Sequence, residues 1–241
     1  MSATKTPLDA TAEQPAERPY WRRVQTFVRR EGRTTVAQAR ALEERLPHCD
    51  WPAGCHHPDT VFGRSARCVL EIGFGAGENL LALCQAQSDT NFIGLEVHRP
   101  GVGQLLHRAH EANVNNLRVS SEDALIFLRE RVPAGSLDQI QIWFPDPWHK
   151  KRHHKRRIIQ AAHLDLMATA LKPEGILLVA TDWEEYAEWM DAELSAHDQF
   201  QNLAAPERFA PRCPDRVLTR FEKRGQRLGH AVFDFRYRRK A

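Results

Sequence analysis

The sequence predicts a doubly wound α/β fold, with a mostly parallel seven-stranded sheet and an antiparallel strand near the C-terminus. Two patterns predict it. From Arg67 onward, short apolar runs alternate with helical stretches, as expected for a parallel sheet that is covered on both faces. Residues 230–238 (HAVFDFRYR) instead alternate apolar and polar side chains, which indicates a late strand, antiparallel and at or near a sheet edge.

The individual elements follow from the same patterns. Strands are predicted at residues 67–72, 92–96, 117–120, 138–144 and 175–181. Helices are predicted near residues 78–87, 101–113, 123–131, 155–171 and 184–196. Residues 172–175 (KPEG) form a stop signal for the fourth of these helices. A parallel run closed by an antiparallel strand is typical of the class I, Rossmann-like methyltransferase fold.

Length and composition indicate one domain with a loose front end. A chain of 241 residues with 42% hydrophobic content can bury one good core. Residues 1–19 are polar and predicted to be a disordered tail, residues 20–58 form a basic N-terminal segment, and residues 59–241 form the main domain. There is no apolar run for a membrane span or a signal peptide, so we expect a soluble, cytoplasmic protein.

The cysteines indicate neither a disulfide framework nor a zinc site. Five cysteines are an odd set, and none forms a CxxC pair. Cys49, Cys55, His56 and His57 lie close in sequence, but their spacing matches no common metal site. We therefore expect them to be ordinary loop residues and predict no metal.

Positive charge is concentrated in three segments, residues 18–33, 149–157 and 216–240. They hold 21 of the 34 Lys and Arg residues but only 3 of the 31 acidic ones. The rest of the chain is therefore strongly acidic, although the net charge is only +3. An acidic body with three basic patches suggests that a polyanion docks on one face.

A glycine-rich turn follows the first predicted strand. In residues 69–77 (VLEIGFGAG), Gly73, Gly75 and Gly77 would let the backbone bend sharply and approach a ligand closely. A dinucleotide-binding turn would have glycine at position 78, where this chain has Glu78. A carboxylate is a poor neighbour for a pyrophosphate, so a cofactor without phosphate is favoured.

Acidic residues follow the first three strands in order. Glu71 lies beside the glycine turn, and Glu96 ends the second strand, where it can accept hydrogen bonds from both hydroxyls of a ribose. Asp123 follows the third strand and is placed to meet an adenine edge. The acidic series suits a cationic sulfonium, so S-adenosylmethionine is the expected cofactor.

The fourth strand leads into residues 144–148 (FPDPW) and then into nine residues that are all basic or histidine, residues 149–157. Chemistry in open α/β sheets lies beyond the carboxyl ends of the strands, and two prolines hold Asp146 stiffly. Trp148 could stack on a base or pack in the core, and the sequence leaves both open.

The chain resembles the bacterial tRNA (guanine-N7-)-methyltransferase family over nearly everything after residue 20. The resemblance depends on residues 27–33 (FVRREGR), 70–77 (LEIGFGAG), 94–103 (GLEVHRPGVG), 144–157 (FPDPWHKKRHHKRR), 180–182 (ATD) and 219–230 (TRFEKRGQRLGH). The family often has Arg-Pro shortly before its T-x-F-E motif, where this chain has residues 216–218 (RVL), and this puts the stiffness of that loop in doubt.

The resemblance implies roles for particular residues. It implies a cofactor site at Glu71, Glu96, Asp123 and Asp146, with Asp146 also catalytic. It implies substrate contacts from Lys150, Asp182, Thr219, Arg220, Phe221 and Glu222, and RNA contacts from Arg152, His153, His154, Lys155, Arg156 and Arg157. It implies tRNA as partner and methylation of a guanine in its variable loop, and we expect a monomer or weak homodimer.

The predicted helix start at residue 155 adds an argument for RNA. Lys155, Arg156 and Arg157 would lie where the helix dipole disfavours cations, and a bound phosphate would reverse that penalty. Three other functions stay open. The first is an exocyclic-amine methyltransferase, because residues 146–148 (DPW) echo an Asp-Pro-Pro-aromatic motif. The second is a non-catalytic RNA-binding subunit, and the third, disfavoured by Glu78, is a nicotinamide oxidoreductase.

Overall fold

The computed structural model describes residues 25–27, 32–227 and 229–241, without the side chains of Arg220, Phe221, Arg224 and Gln226. These residues contain one seven-stranded sheet of order β3-β2-β1-β4-β5-β7-β6. The strands are β1 Cys68–Ile72, β2 Asn91–Leu95, β3 Leu117–Ser120, β4 Leu137–Trp143, β5 Leu171–Thr181, β6 Phe200–Asn202 and β7 Phe233–Arg239. Strands β1 to β5 pair in parallel, and β7 is antiparallel to both β5 and β6. The predicted fold class is confirmed.

Helices connect the strands and cover both faces of the sheet. They are α1 Val36–Glu44, α2 Leu46–Cys49, α3 Pro58–Phe62, α4 Glu78–Ala86, α5 Arg99–Glu111, α6 Ala124–Glu130, α7 Ala161–Ala170, α8 Glu184–Ala196 and α9 Arg220–Arg227. A 3-10 helix, Lys151–Arg156, precedes α7. Helix α1 begins at a capping box, in which Thr35 and Gln38 satisfy each other's backbone N–H groups.

Side chains of the parallel strands alternate between two apolar layers. On β1, Leu70 and Ile72 join the core layer formed with α6, α7 and α8, whereas Val69 joins the layer formed with α1, α4 and α5. Glu71 falls on the same face as Val69 because side chains alternate along a strand. The strand thus carries a carboxylate to the face that α4 covers.

The sheet reverses its direction of growth between β1 and β4. From β1 the chain proceeds to β2 and β3 on one side, and then returns to place β4, β5 and β7 on the other. Ligands of open α/β sheets bind in the crevice beyond the carboxyl ends of the strands at such a switch point. The glycine turn after β1 and the loop after β4 therefore flank one crevice.

Three details differ from the sequence prediction. The predicted helix 155–171 is wrong in its first part, because residues 151–156 form a 3-10 helix and α7 begins at Ala161. The chain between them is extended at Arg157, whose side chain turns into the protein. Strand β5 begins at Leu171, before a register shift, and the three-residue edge strand β6 was not predicted.

Three further predictions concern the N-terminal tail, membrane spans and metal sites. The prediction of a disordered tail at residues 1–19 falls outside the described residues. No helix in the described part of the chain is long and apolar enough to cross a bilayer. Over that same part there is no group of three or more His, Cys, Asp and Glu side chains that could hold a metal ion.

Candidate active site

The glycine turn after β1 has left-handed backbone at each of its glycines. Gly73, Gly75 and Gly77 have φ of 77°, 57° and 73°. A side chain at Gly77 would place a Cβ 2.7 Å from the side chain of Leu105 on α5, whereas the space beside Gly73 and Gly75 is open. Glycine is therefore required by conformation at all three positions and by packing at Gly77.

Two adjoining cavities lie at this edge of the sheet. One, of about 240 Å³, is lined by Thr26, Phe27, Ile72, Gly73, Leu95, Glu96, Val97, Glu122, Ala124, Ile142, Trp143, Phe144, Pro145, Asp146 and Ile158. The other, of about 420 Å³, is lined by Glu71, Gly73, Phe74, Gly75, Ala76, Glu78, Asn79, Gln104, Trp143, Phe144 and Thr219. They share Gly73, Trp143 and Phe144, so we treat them as two lobes of one cleft.

Glu71 is a buried carboxylate held by neutral donors. Its Oε2 accepts hydrogen bonds from Asn79 Nδ2 at 2.8 Å and from Gln141 Nε2 at 2.7 Å. Burial raises the pKa of Glu71 to about 7, although the two hydrogen bonds act in the opposite direction. A cation in the larger lobe would therefore stabilise the ionised form.

Glu96 is held by the glycine turn. Its Oε2 accepts from the Gly75 backbone N–H at 2.8 Å and its Oε1 from the His98 N–H at 2.8 Å. These bonds fix the carboxylate in the wall of the smaller lobe. Each oxygen has a second lone pair, which can accept from a ligand hydroxyl.

Asp123 caps helix α6. Its Oδ1 accepts from the Leu125 N–H at 2.8 Å, and burial raises its pKa. Its neighbours Glu122 and Ala124 line the smaller lobe. Asp123 thus shapes the end of that lobe as an N-cap, and its predicted contact with the cofactor stays a prediction.

Asp146 lies in a loop with strained backbone at both ends. Phe144 and Trp148 have φ of 52° and 50°, which only a few per cent of non-glycine residues adopt. Asp146 is exposed and lines the smaller lobe, and no hydrogen bond or ion pair from the described residues engages its carboxylate. Strain of this kind persists only where surrounding contacts hold the backbone in place.

Comparisons with known proteins bear on this cleft. Residues 65–235 match the family described as "Putative methyltransferase". A tRNA (guanine-N(7)-)-methyltransferase from Halorhodospira halophila is 51% identical over 90% of this chain and 95% of its own length. Proteins of the same name from Alcanivorax borkumensis (91% of this chain, 93% of theirs) and Shewanella amazonensis (95% and 97%) are each 47% identical. The chain belongs to this methyltransferase family.

Solved structures show the fold independently. A 16S rRNA (adenine(1408)-N(1))-methyltransferase from Catenulisporales acidiphilia, solved with its cosubstrate SAM, matches with a TM-score of 0.55 and 16% identity over 80% of this chain and 96% of its own. The 16S rRNA methyltransferase KamB matches with a TM-score of 0.51 and 14% identity over 77% and 95%. The predicted family and the class I methyltransferase fold are both confirmed.

The basic run of this methyltransferase-family protein divides into exposed residues and one buried residue. Lys150, Arg152 and Lys155 are exposed, and His153, His154 and Arg156 are half-buried. Local desolvation lowers the pKa of His153, and the positive charges of Arg152, Arg156, Lys150 and Lys155 lower it further. A phosphate bound at these residues would oppose the effect of those charges.

Arg157 is buried, unlike the other predicted RNA-contacting residues. Its side chain has 0% exposure, and its Nη2 donates to both carboxylate oxygens of Glu185 at 3.0 and 2.9 Å. Its Nε donates to the Pro147 carbonyl at 2.9 Å, and its guanidinium packs over Tyr186 and Trp189. Arg157 therefore anchors the Asp146 loop to α8, and we do not propose that it contacts phosphate.

Trp148 packs on the basic run rather than in the core. Arg156 lies over the Trp148 ring, with Cζ 4.7 Å from the centroid, and His153 meets the ring edge at 5.9 Å between centroids. His149 makes an edge contact of 4.2 Å with Trp183, which is 39% exposed. These contacts bind the start of the run to the two loops that follow β4 and β5.

Asp182 lies in a third cavity, of about 520 Å³, beside the Asp146 loop. The cavity is lined by Asp182, Trp183, Glu184, Glu185, Gly229, His230, Ala231 and Phe233. Asp182 Oδ2 is 3.5 Å from His230 Nδ1, and a Cβ at Gly225 of α9 would lie 3.2 Å from the same oxygen. The segment after β5 and helix α9 thus meet at this carboxylate.

The predicted substrate segment, residues 219–222, is brought to the cleft but not uniformly exposed. Thr219 lines the larger lobe, and its Oγ1 accepts from the Glu222 N–H. The Glu222 carboxylate is buried and accepts from Arg212 and from Arg216. Its predicted substrate contact stays a prediction, while the described contacts give it a role in holding α9. The predicted contacts of Arg220 and Phe221 lie outside the described side chains.

Several residues at the site were missed from sequence. Thr26 and Phe27 line the smaller lobe, and Gln141 and Asn79 hold Glu71. Gln141 carried a usable signal, because a glutamine inside an apolar parallel strand must find a buried partner. Asn79 carried none, since a helix start accepts many polar residues.

Proposed function

We propose that this protein transfers the methyl group of S-adenosyl-L-methionine to N7 of a guanine in the variable loop of tRNA. The observation that carries the proposal is the Asp146 loop. Its carboxylate lines the cleft without a partner among the described residues, and the residues that follow it form a basic run. Relatives that are about half identical bear the name of this activity. A cleft for a methyl donor with a basic run directly after it supports the proposal, because exposed cations suit phosphates.

The residues present fit S-adenosyl-L-methionine, which supplies an electrophilic methyl group on a cationic sulfonium when bound. Among the described residues Glu71 accepts hydrogen bonds only from neutral donors, so its negative charge is available to a ligand cation, either the sulfonium or the ammonium of the amino-acid moiety. Glu96 retains lone pairs for ribose hydroxyls. The Trp143 indole N–H in the wall of both lobes is buried without a partner among the described residues, and a ligand acceptor would satisfy it.

Methylation of guanine N7 requires alignment of the reacting groups rather than a general base. Guanine N7 has an in-plane lone pair and no proton, so its attack on a methyl carbon requires no general base. The protein would have to hold the guanine so that N7 approaches the methyl carbon from the side opposite the sulfur, which would leave as the neutral thioether. Such proximity alone can be worth several kcal/mol. A stiff loop with strained residues at Phe144 and Trp148 suits that task.

Asp146 and Asp182 are proposed to recognise the guanine. Carboxylates accept hydrogen bonds from guanine N1–H and its exocyclic amine, and adenine offers no donor at N1. The purine gains positive charge as the methyl arrives, and a carboxylate nearby stabilises that charge. Asp146 is thus an orienting and electrostatic residue, with Lys150 as the nearest exposed cation that follows it in the chain.

The exposed run is proposed to hold the tRNA backbone. Lys150, Arg152 and Lys155 are exposed on one short segment next to the cleft, and with Arg156, His153 and His154 they give a concentrated positive surface. Phosphate contacts of this kind supply affinity without reading sequence. We further propose a cytoplasmic location and a monomer or weak homodimer.

The decisive test is transfer of labelled methyl from S-adenosyl-L-methionine to an unmodified tRNA transcript, followed by chemical cleavage at N7-methylguanine. We expect one cleavage in the variable loop, and none in a matched transcript whose variable-loop guanine is replaced by adenine. Label that resists this cleavage and maps to an exocyclic amine would support the alternative methyltransferase. Binding of tRNA without any transfer would support a non-catalytic RNA-binding subunit.

A further inference from the structure

One buried side chain joins the cofactor lobe to the predicted substrate segment. Asn79 is the second residue of α4 and is 3% exposed. Its Nδ2 donates to Glu71 Oε2 at 2.8 Å, and its Oδ1 accepts from the Val217 backbone N–H at 2.9 Å. One amide therefore bridges two parts of the site that are 138 positions apart in the chain.

The segment that Asn79 reaches has no regular structure of its own. Residues 211–219 lie between the sheet and α9 outside any helix or strand, and both Val217 and Leu218 are 36% exposed. Arg216 ties the segment to Glu222 and Asp234 on one side. On the other side, the Asn79 bond ties it to the wall of the cleft, two residues before Thr219 enters the larger lobe.

Glu71 can transmit ligand binding in the larger lobe to Asn79, because its Oε2 accepts hydrogen bonds from both Asn79 and Gln141. A ligand cation that engages this carboxylate changes the charge and position of the atom to which Asn79 donates. The Asn79 amide is planar, so a shift of its donor end moves its acceptor end as well. The Val217 N–H, and the residues that follow it, would then respond to occupation of the lobe.

We propose that Asn79 is a positioning residue that couples cofactor binding at Glu71 to the placement of residues 217–222, and thereby to tRNA binding. This inference rests on the proposed function. Coupling of this kind is reciprocal, so tRNA must strengthen cofactor binding by the same factor by which the cofactor strengthens tRNA binding. Typical coupling lies between about 5-fold and 150-fold, and a single buried hydrogen bond suggests the lower end, about 5- to 10-fold.

The test measures the affinity of S-adenosylhomocysteine, which has no methyl group to transfer but keeps the cationic ammonium of its amino-acid moiety, with and without saturating unmodified tRNA. For the natural protein we expect tRNA to tighten binding by about 5- to 10-fold. Asn79→Leu removes both hydrogen bonds at similar volume, and we expect the ratio to fall close to one. Asn79→Asp keeps the acceptor for Val217 but replaces the donor to Glu71, so it should also lose most of the ratio.

Gln141→Leu is the matched control, because Gln141 also donates to Glu71 Oε2 but is not bonded to Val217. It should weaken S-adenosylhomocysteine binding and keep the ratio. Circular dichroism and thermal unfolding check that each variant is folded. If Asn79→Leu does not fold, Asn79→Asp provides the test. A ratio of the natural size in a folded Asn79 variant, or a ratio of one in the natural protein, would overturn the inference.

The outcomes separate this inference from the proposed function. If the natural protein methylates tRNA at guanine N7 but shows no coupling, only the role of Asn79 fails. If it neither binds nor methylates tRNA, the proposed function fails, and the inference that depends on tRNA binding is overturned with it. A kinetic split adds a further check: at saturating cofactor, where coupling acts on tRNA binding, Asn79→Leu should raise the KM for tRNA more than it lowers kcat.

Discussion

Two pairs of carboxylates at or beneath the cleft differ in what holds them. Glu71 and Glu96, on the cofactor side, accept hydrogen bonds only from side-chain amides and backbone N–H groups among the described residues. Glu222 and Asp234, beneath the substrate segment, are ion-paired with the buried Arg216. The difference indicates that the first group keeps its charge for a cationic ligand, whereas the second has its charge neutralised within the fold.

The environment of Arg216 shows why the second group is structural. Its guanidinium lies over the Trp143 and Phe144 rings, 5.1 and 5.4 Å from their centroids, and pairs with both carboxylates. Trp143 and Phe144 are also walls of both cleft lobes. The arginine-paired group, Glu222 and Asp234, therefore supports the walls of the cleft. The amide-held group, Glu71 and Glu96, lines the same cleft.

The largest expected effect comes from breaking the arginine-paired group. Arg216→Met would leave Glu222 and Asp234 buried without their shared cation, and loss of one partner of a buried pair typically costs about 3–5 kcal/mol. The free energy of unfolding, measured with urea, should fall by about that amount.

Arg212→Met is the control for Arg216, because Arg212 pairs with the same Glu222 but is 39% exposed. It should cost less than about 1 kcal/mol. Equal losses in the two variants would contradict the view that the buried arginine neutralises this group.

The second effect concerns Asp146, whose exposed carboxylate lines the cleft and has no partner in the part of the chain that the structure describes. Asp146→Ala should lower kcat by about 100- to 1,000-fold, the typical cost of losing one preorganised electrostatic contact, with little change in unfolding free energy. The kcat of Asp146→Asn should lie between those of the natural protein and Asp146→Ala, since asparagine keeps one acceptor but loses the charge.

Steady-state methyl transfer to tRNA measures the Asp146 variants, and Asp198→Ala, another exposed carboxylate, should leave turnover unchanged. If Asp146→Asn retained near-full turnover and Asp146→Ala were equally active, the role of Asp146 would be disproved.

The amide-held group was largely predictable from sequence. Glu71 and Glu96 end neighbouring parallel strands, and the carboxyl ends of such strands meet at one edge of the sheet. The glycine turn fixed where that edge opens. The pairing of Glu71 with Asn79 and Gln141 was not predictable. Gln141, in an apolar strand, indicates some buried partner, but Glu71 becomes that partner only when α4 and β4 pack beside β1.

The arginine-paired group could not be predicted. Arg216 pairs with Asp234 across an irregular segment, α9 and a strand start, and no sequence period spans these. Arg157 shows the same limit within the basic run. Nine similar residues do not reveal that the last one turns inward, since that depends on the aromatic pocket of Tyr186 and Trp189 on α8.

The third expected effect is a pH dependence of the free energy of unfolding, which arises from Glu71 in the amide-held group. Burial raises the pKa of Glu71 to about 7 from an ordinary value of 4.5. The folded state therefore binds a proton that the unfolded state has lost, and stability falls as pH rises from about 4.5 through 7. The loss attributable to this group is about 3 kcal/mol at pH 8.

Glu71→Gln removes that titration. Relative to the natural protein, its free energy of unfolding should be similar near pH 4 and higher by about 2–3 kcal/mol at pH 8, while its affinity for S-adenosylhomocysteine falls. A variant that is less stable at pH 8 would show that the Glu71 charge is compensated within the fold, as in the arginine-paired group.

The smallest effect per residue is expected in the exposed part of the basic run. Arg152 and Lys155 are exposed and can bind phosphates, whereas Arg216 is buried. Replacing Arg152 and Lys155 by Ala should weaken tRNA binding and reduce the slope of log affinity against log salt by about 0.7–0.9 for each phosphate that is no longer neutralised. Turnover at saturating tRNA should change less than about twofold, since neither residue lines the cleft. Arg67→Ala, an exposed arginine before β1 at the opposite edge of the sheet, should leave the slope unchanged. A fall in kcat without a change in slope would place these cations at the chemistry instead of on the tRNA backbone.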